Sequence, residues 1–187
     1  MDGIFEVKRR LRRDDNICFY RDQRRRFYCA TERRSRLSAG GRRRTARFYE
    51  EFMASVDTLV ISRKTFETVL KFAAWPYGDK RVVVLSGGSL DSAVAHGGIL
   101  EQMAGSPADI VSKLAKSGAN HVYVDGGITI QRFLRAGLVH RLIITRVPVL
   151  IGEGIPLFGA LPRDLRLRHV ATQHYPSGLV KSEYHVA

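Results

Sequence analysis

Cysteine is scarce in this chain: Cys18 and Cys29 are the two among 187 residues. Two cysteines build neither a disulfide framework nor a four-ligand zinc site. Long apolar runs are missing too. No stretch nears the ~20 apolar residues that a spanning helix needs. No apolar run follows the N-terminal charges, which argues against a secretory signal. A cytoplasmic protein with no membrane partner is therefore expected. The six histidines show no metal-ligand spacing, so no metal is expected. The glycine fingerprint G-x-G-x-x-G is absent as well.

Charge, by contrast, is abundant and uneven. The chain holds 31 Lys plus Arg against 18 Asp plus Glu, a formal net charge of +13. Residues 1–47 carry 16 of these bases and 6 of the acids, a net of +10, which leaves +3 for residues 48–187. Arg24-Arg25-Arg26, Arg33-Arg34 and Arg42-Arg43-Arg44 form clusters, with Phe19, Tyr20, Phe27 and Tyr28 between them. Such interleaving suits single-stranded RNA, through phosphate pairing and base stacking. A nucleic-acid-binding protein is one rival reading; it predicts salt-dependent affinity that disappears with residues 8–47. The plainer reading is a disordered or poorly folded segment. No helical or strand period persists there, and few aliphatic residues are available to bury. The chain thus divides into an Arg-rich atypical segment, 1–47, and a domain of ordinary composition, 48–187.

Within the second part, helical and strand patterns alternate. Tyr49 to Ser55 reads as a short helix. Val56 to Ile61 is β-rich, and Ser62 caps a helix over Thr65 to Phe72. Arg81 to Leu85 is an apolar strand of the kind covered on both faces. Ser89 to Gly105 reads as loop. Ser106-Pro107-Ala108-Asp109 opens a helix that Gly118 closes. His121 to Val124 is a strand, followed by a helix over Ile128 to Arg135. Val139 to Val147 is a strand that Val149 to Ile151 extends. Leu165 to Thr172 and Leu179 to His185 form a hairpin about Tyr175-Pro176-Ser177-Gly178. The pattern predicts an α/β fold with a mostly parallel sheet covered on both faces.

Three strand ends carry candidate chemistry. In parallel sheets, ligands bind outside the carboxyl ends of the strands, where helix N-termini offer unpaired N–H groups to phosphate. Arg63, Lys64 and Thr65 follow the first strand with two cations and a hydroxyl. Asp125-Gly126-Gly127-Ile128-Thr129 follows another, and its glycines let backbone approach a ligand closely. Ser86-Gly87-Gly88 ends a third. Together they suggest an extended dinucleotide lying across the sheet, whereas each alone is equally a capped helix or a tight turn. Glu153, in the loop Gly152 to Gly159, is a weaker candidate, and an exposed loop acid is the plainer reading. Trp75 is expected in the core or at a pocket rim.

The segments D-T-L-V-I-S-R-K-T-F-E (57–67), R-V-V-V-L-S (81–86), V-Y-V-D-G-G-I-T-I-Q-R-F-L (122–134), P-V-L-I-G-E-G-I-P-L-F (148–158) and Y-P-S-G-L-V-K-S-E-Y (175–184) carry a resemblance. In this order they resemble the dihydrofolate reductase superfamily, in the branch of the riboflavin-biosynthesis reductase domain and its small stand-alone relatives. The resemblance covers about residues 48–187. It implies a three-layer α-β-α fold with a mixed sheet and a C-terminal hairpin. It implies an NADPH-dependent oxidoreductase that passes hydride to a pterin-like or aminopyrimidine substrate. By the same resemblance, Arg63, Lys64 and Thr65 bind cofactor phosphates, Ser86 contacts the adenosine side, and Gly126, Gly127, Ile128 and Thr129 form the pyrophosphate turn. The expected partner is a small heterocycle; a non-catalytic nucleotide-binding relative is a further rival. Strand edges near the hairpin suggest a homodimer. Ser62 departs from the family's usual Gly and should fit if its φ is negative.

The larger departure lies upstream. Family members begin with an apolar central strand of the type V-F-I-A-x-S-x-D-G-F-I-A, which often supplies the substrate-side acid. Nothing like it stands in residues 1–47, so no catalytic residue is assigned. Back-translating Asn16 to Leu37 and reading one nucleotide later permits I-S-V-F-I-A-T-S-V-D-G-F-I-A-R-P-N-G-A-L-D, which is that strand. Residues from roughly 16 to 47 are accordingly read as an out-of-frame translation, with the frame restored near Phe48; the coding DNA decides it. A chain with this segment is expected to lack a central strand and to be poorly stable or inactive.

Overall fold

The computed structural model describes residues 2–7 by their backbone, and residues 50, 52–72, 74–90, 99–146, 158–176 and 178–187 with side chains. The elements are β1 (Asp2–Val7), β2 (Thr58–Ser62), α1 (Arg63–Val69), β3 (Arg81–Leu85), β4 (Leu100–Met103), α2 (Pro107–Lys116), β5 (Val122–Val124), α3 (Gly127–Arg135), β6 (Arg141–Arg146), β7 (Leu167–His174) and β8 (Val180–Val186). Residues 52–55 add a turn of helix before β2. Among the described residues the strands form one sheet in the order β4-β3-β2-β5-β1-β6-β8-β7. The neighbours β4, β3, β2 and β5 are parallel, and the remaining pairings are antiparallel.

Local sequence accounts for the parallel half. Leu59, Val60, Ile61, Val82, Val83, Val84, Val122, Tyr123 and Val124 are all buried. Continuous burial along a strand means that both faces are covered. β-branched residues hold such strands extended, because their side chains restrict χ1. The helices supply the cover through short apolar stripes: Phe66 and Val69 from α1, Ile110 and Leu114 from α2, and Ile130, Phe133 and Leu134 from α3. Each such side chain stabilises the fold by ~1.5–3 kcal/mol when fully buried. The start of α2 is fixed by a capping box: Ser106 Oγ accepts from Asp109 N, and Asp109 accepts from Ser106 N. Ser106 Oγ also donates to Asp109 Oδ2 at 2.6 Å, and this bond, with the one from Ser106 N, holds the Asp109 carboxyl below its ordinary pKa.

The handedness of the connections arranges the layers. The β2–α1–β3 connection steps one way along the sheet, while β4–α2–β5 and β5–α3–β6 step the other way. Crossovers between parallel strands are right-handed. α1 therefore covers one face, and α2 and α3 cover the other, which gives three layers. The direction of travel reverses between β2 and β5, so a crevice opens at the carboxyl ends of those two strands.

Two differences from the sequence reading bear on the sheet. The central slot is not empty. Asp2–Val7 fills it as β1, antiparallel to β5 on one side and to β6 on the other. Its Ile4-Phe5 and Val7 favour extended backbone, but six residues are too few for their alternation to stand out beside the arginines. The second difference is β4, which lies in the stretch read as loop; its L-E-Q-M has neither β-branched residues nor strict alternation. It is nonetheless tied to β3, for Glu101 accepts two hydrogen bonds from Arg81 at 2.8 and 2.9 Å. The out-of-frame reading of residues 16–47, the strand extension over Val149 to Ile151, and Glu153 lie outside the described residues.

Candidate functional site

The crevice between β2 and β5 is where two of the three predicted junctions meet. Val60 lies opposite Val124 in the parallel register. Two residues further along each strand, Ser62 therefore stands beside Gly126. Both strands stop here and both turn into helices, α1 on one face and α3 on the other.

At the first junction Ser62 is the N-cap of α1, and its Oγ accepts from Thr65 N at 3.1 Å. Its φ is −75°, so the serine sits without strain where the resemblance leads one to expect glycine. Ser62 Oγ and Thr65 Oγ1 are also hydrogen-bonded, 3.0 Å apart. Arg63 and Lys64 project from the first turn and are exposed. Arg63 Nε donates to Glu67 at 2.8 Å, while its Nη1 reaches Ser89 O at 3.4 Å.

At the second junction Gly126 caps α3 with φ +95°. Side chains rarely adopt that conformation. Space forbids one as well: a Cβ on Gly126 would lie 2.9 Å from Thr65 Oγ1 and 3.3 Å from Ser62 Oγ. The two junctions are thus packed directly against each other. No side chain caps α3, and Ile130 N is the first amide to bond back, to Gly126 O. The N–H groups of Gly127, Ile128 and Thr129 consequently have no partner within the helix. Gly127 and Thr129 are buried, but Ile128 is 73% exposed, an apolar side chain standing at the rim.

The third junction joins through Arg63. A Cβ on Gly88 would sit 3.4 Å from Arg63 Nη1, so the guanidinium rests against the Ser86–Ser89 turn. Ser86 Oγ donates to Gly88 O at 2.8 Å and closes that turn on itself. Arg63, Thr65, Ser86, Gly126, Gly127, Ile128 and Thr129 therefore lie along one rim, and Lys64 stands beside them on α1.

Two residues at this rim were not singled out from sequence. Asp125 is buried, and its Oδ1 accepts from Gly126 N at 2.6 Å. Burial pushes its carboxyl up to about 7, against the opposing pull of that hydrogen bond. In the sequence it was only the acid ahead of two glycines, and nothing in the spacing reveals its burial. Gln102, on β4, makes three hydrogen bonds to the Ser86–Leu90 segment. Its signal was hidden because its strand was not recognised. Trp75 packs edge-on against Phe66 and Tyr77 at the end of α1.

Comparison with known proteins adds the family. The model of the RibD C-terminal domain family matches residues 28–181. A candidate riboflavin biosynthesis protein from Shewanella sp. PV-4 is 35% identical, with a TM-score of 0.68 over 74% of this chain and 78% of that one. The uncharacterized protein YwjB of Bacillus subtilis is 28% identical over 129 residues, which are 68% of this chain and 72% of YwjB. Dihydrofolate reductase from Enterococcus faecalis, complexed with NADP(H), shares the fold at 19% identity, with a TM-score of 0.53 over 77% of this chain and 82% of that one. On the sheet order, the junctions and these matches together, the chain belongs to the RibD C-terminal domain family.

Proposed function

We propose that this protein is an NADPH-dependent oxidoreductase of the riboflavin or folate type, acting on a pterin-like or aminopyrimidine heterocycle. One observation carries the reading: Gly126 packs against Ser62 and Thr65 at the reversal point of the sheet, with Arg63 bridging to the Ser86–Ser89 turn. Membership of the RibD C-terminal domain family supports a reductase. The shared fold with a dihydrofolate reductase complexed with NADP(H) supports the cofactor.

The residues present fit such a group. The first-turn N–H groups of α3 offer donors to the pyrophosphate, at the positive end of the helix dipole. Gly126 lets the two junctions close on each other, and this sets the N-terminus of α3 at the rim that phosphate oxygens would reach. Arg63 and Lys64 offer cations to the 2′-phosphate, and Arg63 brings a planar fork suited to phosphate geometry. Thr65 lies behind them, and Ser86 marks the adenosine side. Ile128 presents an apolar surface at the rim. NADPH, when bound, supplies the hydride. Asp125, buried behind the turn, holds Gly126 N with its Oδ1 and so fixes the start of α3.

Titration of the protein with NADPH, followed by nicotinamide fluorescence, tests the binding. Loss of nicotinamide absorbance in the presence of a dihydropterin or an aminouracil tests the chemistry. Saturable binding with oxidation by either substrate is expected. Absence of binding ends the proposal; binding without oxidation by any such heterocycle reduces it to a nucleotide-binding relative.

A further inference from the structure

We propose that Gln102 is a positioning residue for the nucleotide: it holds the Ser86–Leu90 loop, and through that loop Arg63, in the shape that receives the adenosine-phosphate end. The inference rests on the cofactor reading above and assigns a role to a side chain on a different strand from any of the candidate contacts.

The geometry is specific. Gln102 lies beside Val84 in the β3–β4 register, one position before both strands end. Its Nε2 donates to Ser86 O at 3.0 Å and to Gly88 O at 2.8 Å, and its Oε1 accepts from Leu90 N at 3.2 Å. One amide thus satisfies two carbonyls and one N–H of a single loop. A flipped amide would face oxygen with oxygen, so the three partners fix its orientation. The loop needs this help. Gly87 and Gly88 are exposed, and two adjacent glycines leave the backbone a wide choice of conformations. Besides Gln102, the loop is held by the bonds between Ser86 Oγ and Gly88 and by Ser86 N to Met103 O.

The link to Arg63 is direct. Ser89 O receives its Nη1, and Gly88 lies against the same nitrogen. A loop freed from Gln102 loses the surface on which this guanidinium rests. The guanidinium then samples more rotamers and meets a 2′-phosphate less well prepared. NADH carries no 2′-phosphate and depends less on that placement. Gln102 is exposed, so its amide contributes little to the core.

The test compares wild type with Gln102→Met, which keeps length and removes every polar atom, and with Gln102→Glu, which turns carboxylate oxygen toward two carbonyls. NADPH and NADH are each titrated by nicotinamide fluorescence, and the unliganded proteins are melted. For Gln102→Met, NADPH affinity should fall about tenfold, and NADH affinity by less than about threefold, as expected for a few lost solvent-accessible hydrogen bonds. Gln102→Glu should lose more, and the unliganded Tm should stay within a few degrees. Unchanged affinities for wild-type-like NADPH binding would overturn the proposal. So would an equal loss for both nucleotides that tracks a lowered Tm, because that marks a merely structural role. A wild type that binds neither nucleotide instead fails the cofactor reading itself, which is a separate result.

Discussion

Gly126 and Asp125 are consecutive, yet different forces fix them. Gly126 is set by backbone and space together, with a positive φ and a neighbour 2.9 Å from where a Cβ would stand. Gly126→Ala should destabilise the protein by roughly 1–3 kcal/mol, the usual scale for a strained φ in a crowded place. Adding Thr65→Ala removes the clashing oxygen but leaves the φ strain, so the double variant should recover only part of the loss. Urea unfolding of the four proteins measures the coupling; strict additivity would mean that the two junctions do not touch. Asp125 is set by desolvation. Its folded pKa is raised from 3.8 to about 7, so the folded state binds the proton more tightly than the unfolded state does. Stability conferred by the neutral acid is fully present below about pH 4 and is lost as pH rises to about 7. The span corresponds to roughly 4 kcal/mol between the two protonation states. Asp125→Asn should flatten that slope and raise Tm at pH 8 relative to wild type. Equal pH profiles for the two proteins would remove the buried acid from the account.

At the scale of elements, legibility followed periodicity and capping. α2 could be read from Ser106, Pro107 and Asp109, because a capping box is a chemical statement confined to four residues. β3 was legible to the residue, since R-V-V-V-L favours nothing else so strongly. The three junctions were readable as strand ends. Their convergence was not, for it depends on strand order, which non-local pairing decides. β4 escaped because Leu100, Glu101, Gln102 and Met103 are helix formers by propensity, held extended by β3. Asp125 and Gln102 escaped for the same reason: burial and loop contacts arise from tertiary structure. The helix starts also differ in kind, and that difference is testable. α2 is closed by its own side chains, whereas no side chain caps α3. Ser106→Ala should therefore lower Tm by a few degrees, the effect of a lost N-cap, and leave NADPH affinity as it was. A fall in affinity matching the fall in Tm would show that α2 is coupled to the nucleotide rim.

For the molecule as a whole, the decisive feature is the strand at its centre. β5 and β6 are parallel to each other and both need a partner between them, because an open slot would leave two rows of backbone N–H and C=O groups unpaired. Asp2–Val7 answers that need from the opposite direction, with Phe5 opposite both Val124 and Leu142. Residues 1–47 hold an arginine-rich segment in place of the family's long apolar strand, so the sequence alone predicts a vacant slot, which Asp2–Val7 occupies. A short strand suffices, since β5 itself has only three residues. The two accounts make opposite predictions for one substitution. Proline at position 5 removes an N–H from the middle of the sheet, and its fixed φ opposes the pleat. If Asp2–Val7 is the central strand, Phe5→Pro should cost at least about 2 kcal/mol, given the unpaired carbonyl left behind. Phe5→Val, which keeps β propensity, should cost much less. Urea midpoints for both variants, with amide exchange of β5 and β6, decide the matter. If Phe5→Pro melts with wild type and the amides of Val124 and Leu142 stay protected, another segment holds the slot, and the coding DNA for residues 16–47 becomes the place to look for it.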